Sequence, residues 1–251
     1  MQKIVIANLK GGTGKSATAT ALAQACAADS LDVLAIDLDP QANMSYNFAP
    51  LAMYSSYELI TGQLPADRIV TDTRQRVDVI KASWELSTVT SERGSARRLQ
   101  EAIRPLNYYD VIIIDTPPTT GELMYNALQA ATELIIPVKS DVYNIQALEQ
   151  MAAMAKSFQE KSNPDLKITG YILTQYDGRS TLCRQMKDLI ERDAETLGLP
   201  CLGVVRQNIA IAEAAAMQTS LFEYAPQSKA AQDYKAIYNR IVKKPYEEGT
   251  L

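Results

Sequence analysis

Between a short β-branched run, Lys3–Ala7, and an alanine-rich segment, Ser16–Ala28, stand Lys10, Gly11, Gly12, Thr13, Gly14, Lys15 and Ser16. No other stretch of the chain limits the fold so strongly. Glycines let consecutive amides turn inward and approach an anion. The start of a helix adds unpaired N–H groups and the positive end of its dipole. A strand that feeds such a loop and then a helix is the opening of a βα unit.

The rest of the chain repeats that alternation. Val33–Ile36, Val77–Ile80, Val111–Ile114, Leu134–Val138, Ile168–Leu173 and Leu202–Val205 read as strands. Arg93–Ile103, Leu123–Ala131, Ile145–Phe158 and Ser180–Leu197 read as helices, and two more helical stretches close the chain. Residues 44–76 are the least regular and read as short helices and loops. Near-continuous apolar strands are buried on both faces, and alternation with helices implies right-handed crossovers. The expected fold is α/β: a single-domain, mostly parallel twisted sheet with helices on both faces. No linker divides residues 1–251, and the first strand starts at residue 3, so no N-terminal helix-turn-helix domain is expected. Ligands of such sheets sit beyond the carboxyl ends of the strands. Polar residues gather there, after Ala7, Ile36, Ile114, Val138, Leu173 and Val205.

In a phosphate-binding loop, Lys15 supplies a point charge to β- and γ-phosphates and Ser16 a hydroxyl ligand to Mg²⁺. The usual pattern GxxxxGK[ST] is broken here, because its first glycine falls on Leu9, and a lysine, Lys10, stands at the loop's start. Acidic residues end two strands, Asp37 and Asp39 in IDLDP and Asp115 in IIIDTPP. A carboxylate at that edge holds Mg²⁺ through water, the Walker B role, and Asp115 fits it best. Asp39 is placed to orient or activate the attacking water, whereas Asp37 reads as a turn-forming residue.

The 251 residues contain no histidine, which removes Ser–His and Cys–His nucleophile pairs and HExxH zinc sites. Phosphoryl transfer rests on positioning and positive charge, so the absence is no obstacle. Cys26, Cys183 and Cys201 are far apart and form no CxxC pair. A disulfide framework or a cysteine-ligated metal is not expected, and a reducing cytoplasm fits. No stretch approaches the roughly 20 apolar residues of a membrane span.

On these residues a family resemblance rests. KGGTGKS, with its early lysine, resembles the deviant Walker A motif of the ParA/MinD group of ATPases. IDLDPQAN resembles that group's second motif, and YYDVIIIDTPPTTGELMYNAL its Walker B strand and following helix. LTQYDGRS and NIAIAEAAAMQTSLFEYAPQSKAAQDY resemble the later segments of ParA-type partition ATPases, so the likeness runs from about Lys3 to Ile241. The resemblance implies an ATP- and Mg²⁺-dependent sandwich homodimer. Lys10 would reach the partner's phosphates, Lys15 those of its own subunit, and Gly11, Gly12, Thr13, Gly14, Ser16 and Ala17 would line the nucleotide. Asp39 would be the switch carboxylate in hydrolysis and Asp115 the Walker B carboxylate. The implied function is nucleoid-associated DNA segregation in the cytoplasm. The ATP-bound dimer would bind DNA non-specifically, and a ParB-type centromere-binding protein would stimulate hydrolysis.

Three departures stand out. Ala17 replaces a threonine usual in the family, and Ala42 replaces the glycine of DPQGN. Gln207 and Ala210 stand where many relatives carry arginine, beside Asn208, the candidate adenine contact. DNA binding would then use other cations. Lys229, Lys235, Arg240, Lys243 and Lys244 stand against one acid, Asp233, within residues 229–244. They are expected to project outward near the C-terminus of a helix whose stripe Ala230, Tyr234, Ile237, Ile241 faces the core. Arg179, Arg184 and Lys187 form a second, smaller cluster.

The alternative on the same fold is an ATPase that positions a non-DNA cargo, such as a protein compartment or division machinery. A membrane-bound version would need an apolar and basic tail, whereas KKPYEEGTL has a proline, two acids and one terminal leucine. A redox enzyme of the nitrogenase-reductase type lacks its cysteine pairs here. A tyrosine kinase of the wider group lacks its tyrosine cluster, since Tyr224, Tyr234, Tyr238 and Tyr246 are dispersed.

Overall fold

The computed structural model describes residues 1–90, 95–141 and 143–242. Seven strands form one sheet in the order β3-β2-β4-β1-β5-β6-β7: β1 Gln2–Ile6, β2 Val33–Asp37, β3 Asp78–Ile80, β4 Val111–Asp115, β5 Glu133–Lys139, β6 Lys167–Tyr176 and β7 Cys201–Arg206. All six pairings are parallel. Every carboxyl end therefore opens on one edge.

Period-two alternation explains the two-faced core. Val5, Leu34, Ile36, Ile112 and Ile114 point to one face, where Leu59, Leu99, Leu128, Leu148 and Met151 from the helices meet them. Ile4, Ile6, Val33, Ala35, Val111 and Ile113 point to the other, against Leu22, Cys26, Tyr234, Ile237 and Ile241. The first face carries helices α3 Ser56–Thr61, α4 Arg98–Ala102, α5 Glu122–Ala130 and α6 Tyr143–Lys161; the second carries α1 Lys15–Ala28, α2 Asn43–Phe48 and α10 Lys229–Ile241. The remaining helices are α7 Thr181–Thr196, α8 Ala210–Ala216 and α9 Leu221–Tyr224. The expected stripe of α10 is in the core, and the Tyr234 hydroxyl sits 3.2 Å from that of Thr18 on α1. Gly203 allows this packing: a Cβ there would lie 2.4 Å from Ile237 Cγ1.

Several boundaries differ from expectation. Among the described residues three helices, α8 to α10, follow β7 where two were expected. The helix expected from Arg93 is a 3₁₀ turn at Ser95–Arg97 followed by the short α4, and residues 93 and 94 lie outside the described ones. Cys26, Cys183 and Cys201 are free thiols. No helix among the described residues is long and apolar enough to cross a membrane.

Candidate functional site

The glycine loop leaves β1 in the middle of the sheet and enters α1. Gly12 (φ 73°) and Gly14 (φ 84°) are left-handed, a conformation in which a side chain would be strained. Asn8, fully buried, anchors the loop's start: its Nδ2 donates to Pro137 O on β5 and its Oδ1 accepts from Lys10 N–H. From the end of β6, the Thr174 hydroxyl donates to Thr13 O at 2.7 Å and Gln175 Nε2 to Gly12 O at 2.8 Å. The loop's carbonyl side is thus tied to the two strands on its right.

The two lysines part company. Lys15 is buried, and its Nζ donates to Lys10 O at 3.1 Å. Burial lowers its pKa, while the Asp115 and Asp39 charges raise it again. Lys10 turns outward, with its Nζ 2.6 Å from Asp141 Oδ1 just beyond β5. Asp141 was not singled out in the sequence, although the polar segment after Val138 marks the spot.

Asp37 and Asp115 are register partners on adjacent strands, both fully buried, with Asp39 close by. Asp37 is more than a turn former. Its Oδ2 accepts from the Ser45 N–H and hydroxyl, at 2.8 and 2.7 Å, and its Oδ1 from Asp39 N–H at 3.0 Å. Burial still pushes its carboxyl up to about 6, against those hydrogen bonds. Burial, then the Asp37 charge, raise Asp115 well above the usual carboxylate range; the Ser16 hydroxyl lowers it, Asp39 raises it and Lys15 lowers it. Asp115 Oδ1 accepts from Thr116 N–H, but Oδ2 is buried without a hydrogen-bond partner. Such an orphaned oxygen is costly and calls for water or a cation. Among the described residues no group of three or more Cys, Asp or Glu could hold a metal by itself.

A cavity of about 400 Å³ runs from Gly14, Ser16 and Ala17 along one face of α1. Asn208 and Gln207 line its mouth and Ala17 its wall. Asn208 Oδ1 accepts from Ala210 N–H at 2.9 Å. Ala42 adopts the left-handed region at φ 53° and caps α2, whose Asn43, Tyr46 and Asn47 also line the cavity.

The basic residues are scattered. Lys229, Lys235 and Arg240 are exposed on α10, but Lys229 begins the helix rather than ending it, so it opposes the dipole instead of complementing it. Arg240 donates to Cys201 O and Leu202 O. Lys243 and Lys244 lie outside the described residues. In the second cluster Arg179 pairs with Asp177 and Lys187 with Glu191, while Arg184 donates to Gly178 O.

A glycine-lysine loop between the central strand and α1, flanked by acidic strand ends, defines a P-loop nucleotide hydrolase of the parallel α/β class. A family model described as an AAA domain matches residues 1–168. The chromosome-partitioning ATPase Soj of Thermus thermophilus is 30% identical over 248 residues, covering 98% of each chain. The chromosome partitioning protein ParA of Caulobacter vibrioides is 30% identical over 254 residues, covering 96% of this chain and 94% of its own. The structure of a cobyrinic acid a,c-diamide synthase from Mycobacterium smegmatis, with bound ATP analogue and magnesium, superposes with a TM-score of 0.84. It is 25% identical, with 97% of this chain and 95% of that one covered. The chain belongs to the ParA/MinD-type ATPases, and the curated proteins similar to it include ParA and Soj partitioning proteins.

Proposed function

We propose that this ATPase segregates DNA through an ATP-dependent sandwich dimer. The observation that carries the reading is the divergence of the two loop lysines. Lys15 points into its own loop, while Lys10 leaves it for the half-exposed Asp141. A cation so placed is suited to the phosphates of a second copy, which makes hydrolysis depend on assembly, as arginine fingers do. Loop residues 11–17 and Lys15 hold the phosphates, and Asn208 contacts the adenine. The residues fit Mg²⁺: the Ser16 hydroxyl and, through water, the orphaned Asp115 Oδ2 would hold it beside the phosphates. Bound Mg²⁺ would neutralise charge developing on the phosphates. Asp39 orients the attacking water.

The dimer binds duplex DNA without reading its sequence. Lys229 and Lys235, exposed on α10, are its best-placed contacts among the described residues, and two copies double the phosphates neutralised. A ParB-type partner stimulates hydrolysis, and the protein works in the cytoplasm on the nucleoid. The ParA and Soj relatives support this reading over a non-DNA cargo. The test is duplex binding at low salt by the full chain and by Lys10→Ala. Binding that requires ATP and Mg²⁺, falls with salt and disappears in Lys10→Ala is expected. No binding by the parent protein, or equal binding by the variant, refutes the reading.

A further inference from the structure

The cavity beside the glycine loop has a polar feature that the loop does not explain. Its wall is the face of α1 that carries Ser16, Ala17, Thr20, Ala21 and Gln24. Residues four apart lie on one helical face, so Thr20 stands one turn beyond Ser16. Thr20 is 6% exposed, and its Oγ1 is buried with no hydrogen-bond partner. A threonine within a helix ordinarily returns its hydroxyl to the carbonyl four residues earlier. Here that bond is absent, so the group forgoes a partner that its own helix could offer.

Four other polar side chains of the lining are occupied. Gln24 Oε1 accepts from Leu221 N–H and its Nε2 donates to Gln75. Thr174 and Gln175 hold the glycine loop, and Asn208 Oδ1 is taken by Ala210 N–H. Ala17, Ala21, Ile211, Ala212 and Leu221 supply much of the wall's apolar surface, and Asn43, Asn47, Gln207 and Thr219 line it as well. A mostly apolar cavity with few placed polar groups is the ordinary form of a small-ligand site. A χ1 turn that brings the Thr20 hydroxyl to a ligand breaks no bond, because none is held.

We infer that Thr20 is a contact residue for the nucleoside half of the nucleotide, donating or accepting one hydrogen bond from the cavity wall. The inference rests on the nucleotide reading of the loop. With phosphates on the loop amides, the sugar and base are the parts that enter the cavity along α1. Thr20 then discriminates among ligands by their nucleoside, while Lys15 and the loop serve any polyphosphate.

The test measures Mg²⁺-dependent binding of ATP and of inorganic tripolyphosphate by calorimetry, for the full chain, Thr20→Val and Thr20→Ser. One hydrogen bond corresponds to about a 3–10-fold change in Kd. Thr20→Val should weaken ATP by that factor and leave tripolyphosphate unchanged, and Thr20→Ser should bind ATP within about twofold of the parent. The nucleotide-free Thr20→Val protein should melt no lower than the parent, because it loses an unpaired hydroxyl rather than a bond. Equal ATP affinity in parent and Thr20→Val overturns the inference, as does an equal loss for both ligands. If the parent binds neither ligand, the nucleotide reading falls first, and the role of Thr20 with it.

Discussion

Replacing Ala42 with glycine should stabilise the protein, against the usual direction of such a change. Ala42 sits at φ 53° and ψ 33°, donates its N–H to Asp39 O at 2.8 Å and accepts from Tyr46 N–H at 2.9 Å. It therefore joins the Asp39 turn to the first turn of α2. The left-handed region costs a residue with a Cβ about 1–2 kcal/mol, which glycine escapes. Glycine forfeits about 0.4–1 kcal/mol through the greater freedom of its unfolded chain. The difference is a gain of about 0.5–1 kcal/mol, or about 1–4 °C in melting temperature for a chain of this length. Urea and thermal unfolding of Ala42→Gly, with Ala42→Val as control, measure it. Valine is β-branched and should lose more than about 1 kcal/mol at positive φ. If Ala42→Gly instead loses the roughly 0.5–1 kcal/mol of an ordinary helical Ala→Gly change, Ala42 is not strained and the reasoning fails.

The ion pair Lys10–Asp141 restrains the lysine proposed to act across the dimer. Its side chains are 29% and 35% exposed, so the pair is worth about 0.5–1 kcal/mol, and Asp141→Asn should strengthen ATP-driven self-association about 2–5-fold in sedimentation. Unchanged or weaker association would show that the pair holds nothing back. Asp115 is raised above its unfolded value by burial and by Asp37, so its contribution is full below the unfolded carboxylate range and is lost as pH rises through the folded pKa. Asp115→Asn should accordingly make the nucleotide-free protein about 1–3 kcal/mol more stable to urea at pH 8, with the gain vanishing toward pH 4, while ATP turnover falls. A gain of the same size at both pH values would rule out the buried charge as its source.

The sheet was legible because its strands are apolar on both faces; Val33–Ile36 and Val111–Ile114 were bounded to within a residue. The ends of the chain were harder. Helices α8 and α9 are seven and four residues long, too short to hold by themselves, and packing of α8 on α2 and of α9 on α1 decides them. The candidate site was legible where it follows directly from chain order: Lys10, Asp39 and Asp115 lie within a few residues of a strand's end and Lys15 opens α1, whereas Asp37 read only as a turn former. Asn8, Asp141, Thr174 and Gln175 were not, because their roles depend on which strands flank β1. The order β4-β1-β5-β6 brings them together, and no local pattern states it. Thr20 was hidden for another reason. It is one polar residue within an alanine-rich helix, and only the missing hydrogen bond distinguishes it.

The charges at the sheet edge explain why such a loop would take its anion together with a cation. Asp37, Asp39 and Asp115 are all buried there, against the single buried ammonium of Lys15. Lys10, the other lysine of the loop, is drawn off to Asp141. Three acids crowd one lysine here, and burial first, then the neighbouring acids, raise the carboxyls of Asp37 and Asp115. A polyphosphate alone would meet repulsion that the loop amides and one lysine must overcome. Mg²⁺ held near Asp115 Oδ2 would offset that repulsion and give the orphaned oxygen a partner through water. Loading is then favoured as the metal–nucleotide pair. In the proposed sandwich dimer, Lys10 would act only when a second loaded site approaches it. Under this reading, the −4 net charge of the chain says little about its partners, because Asp37, Asp39 and Asp115 are buried while Lys229 and Lys235 are exposed.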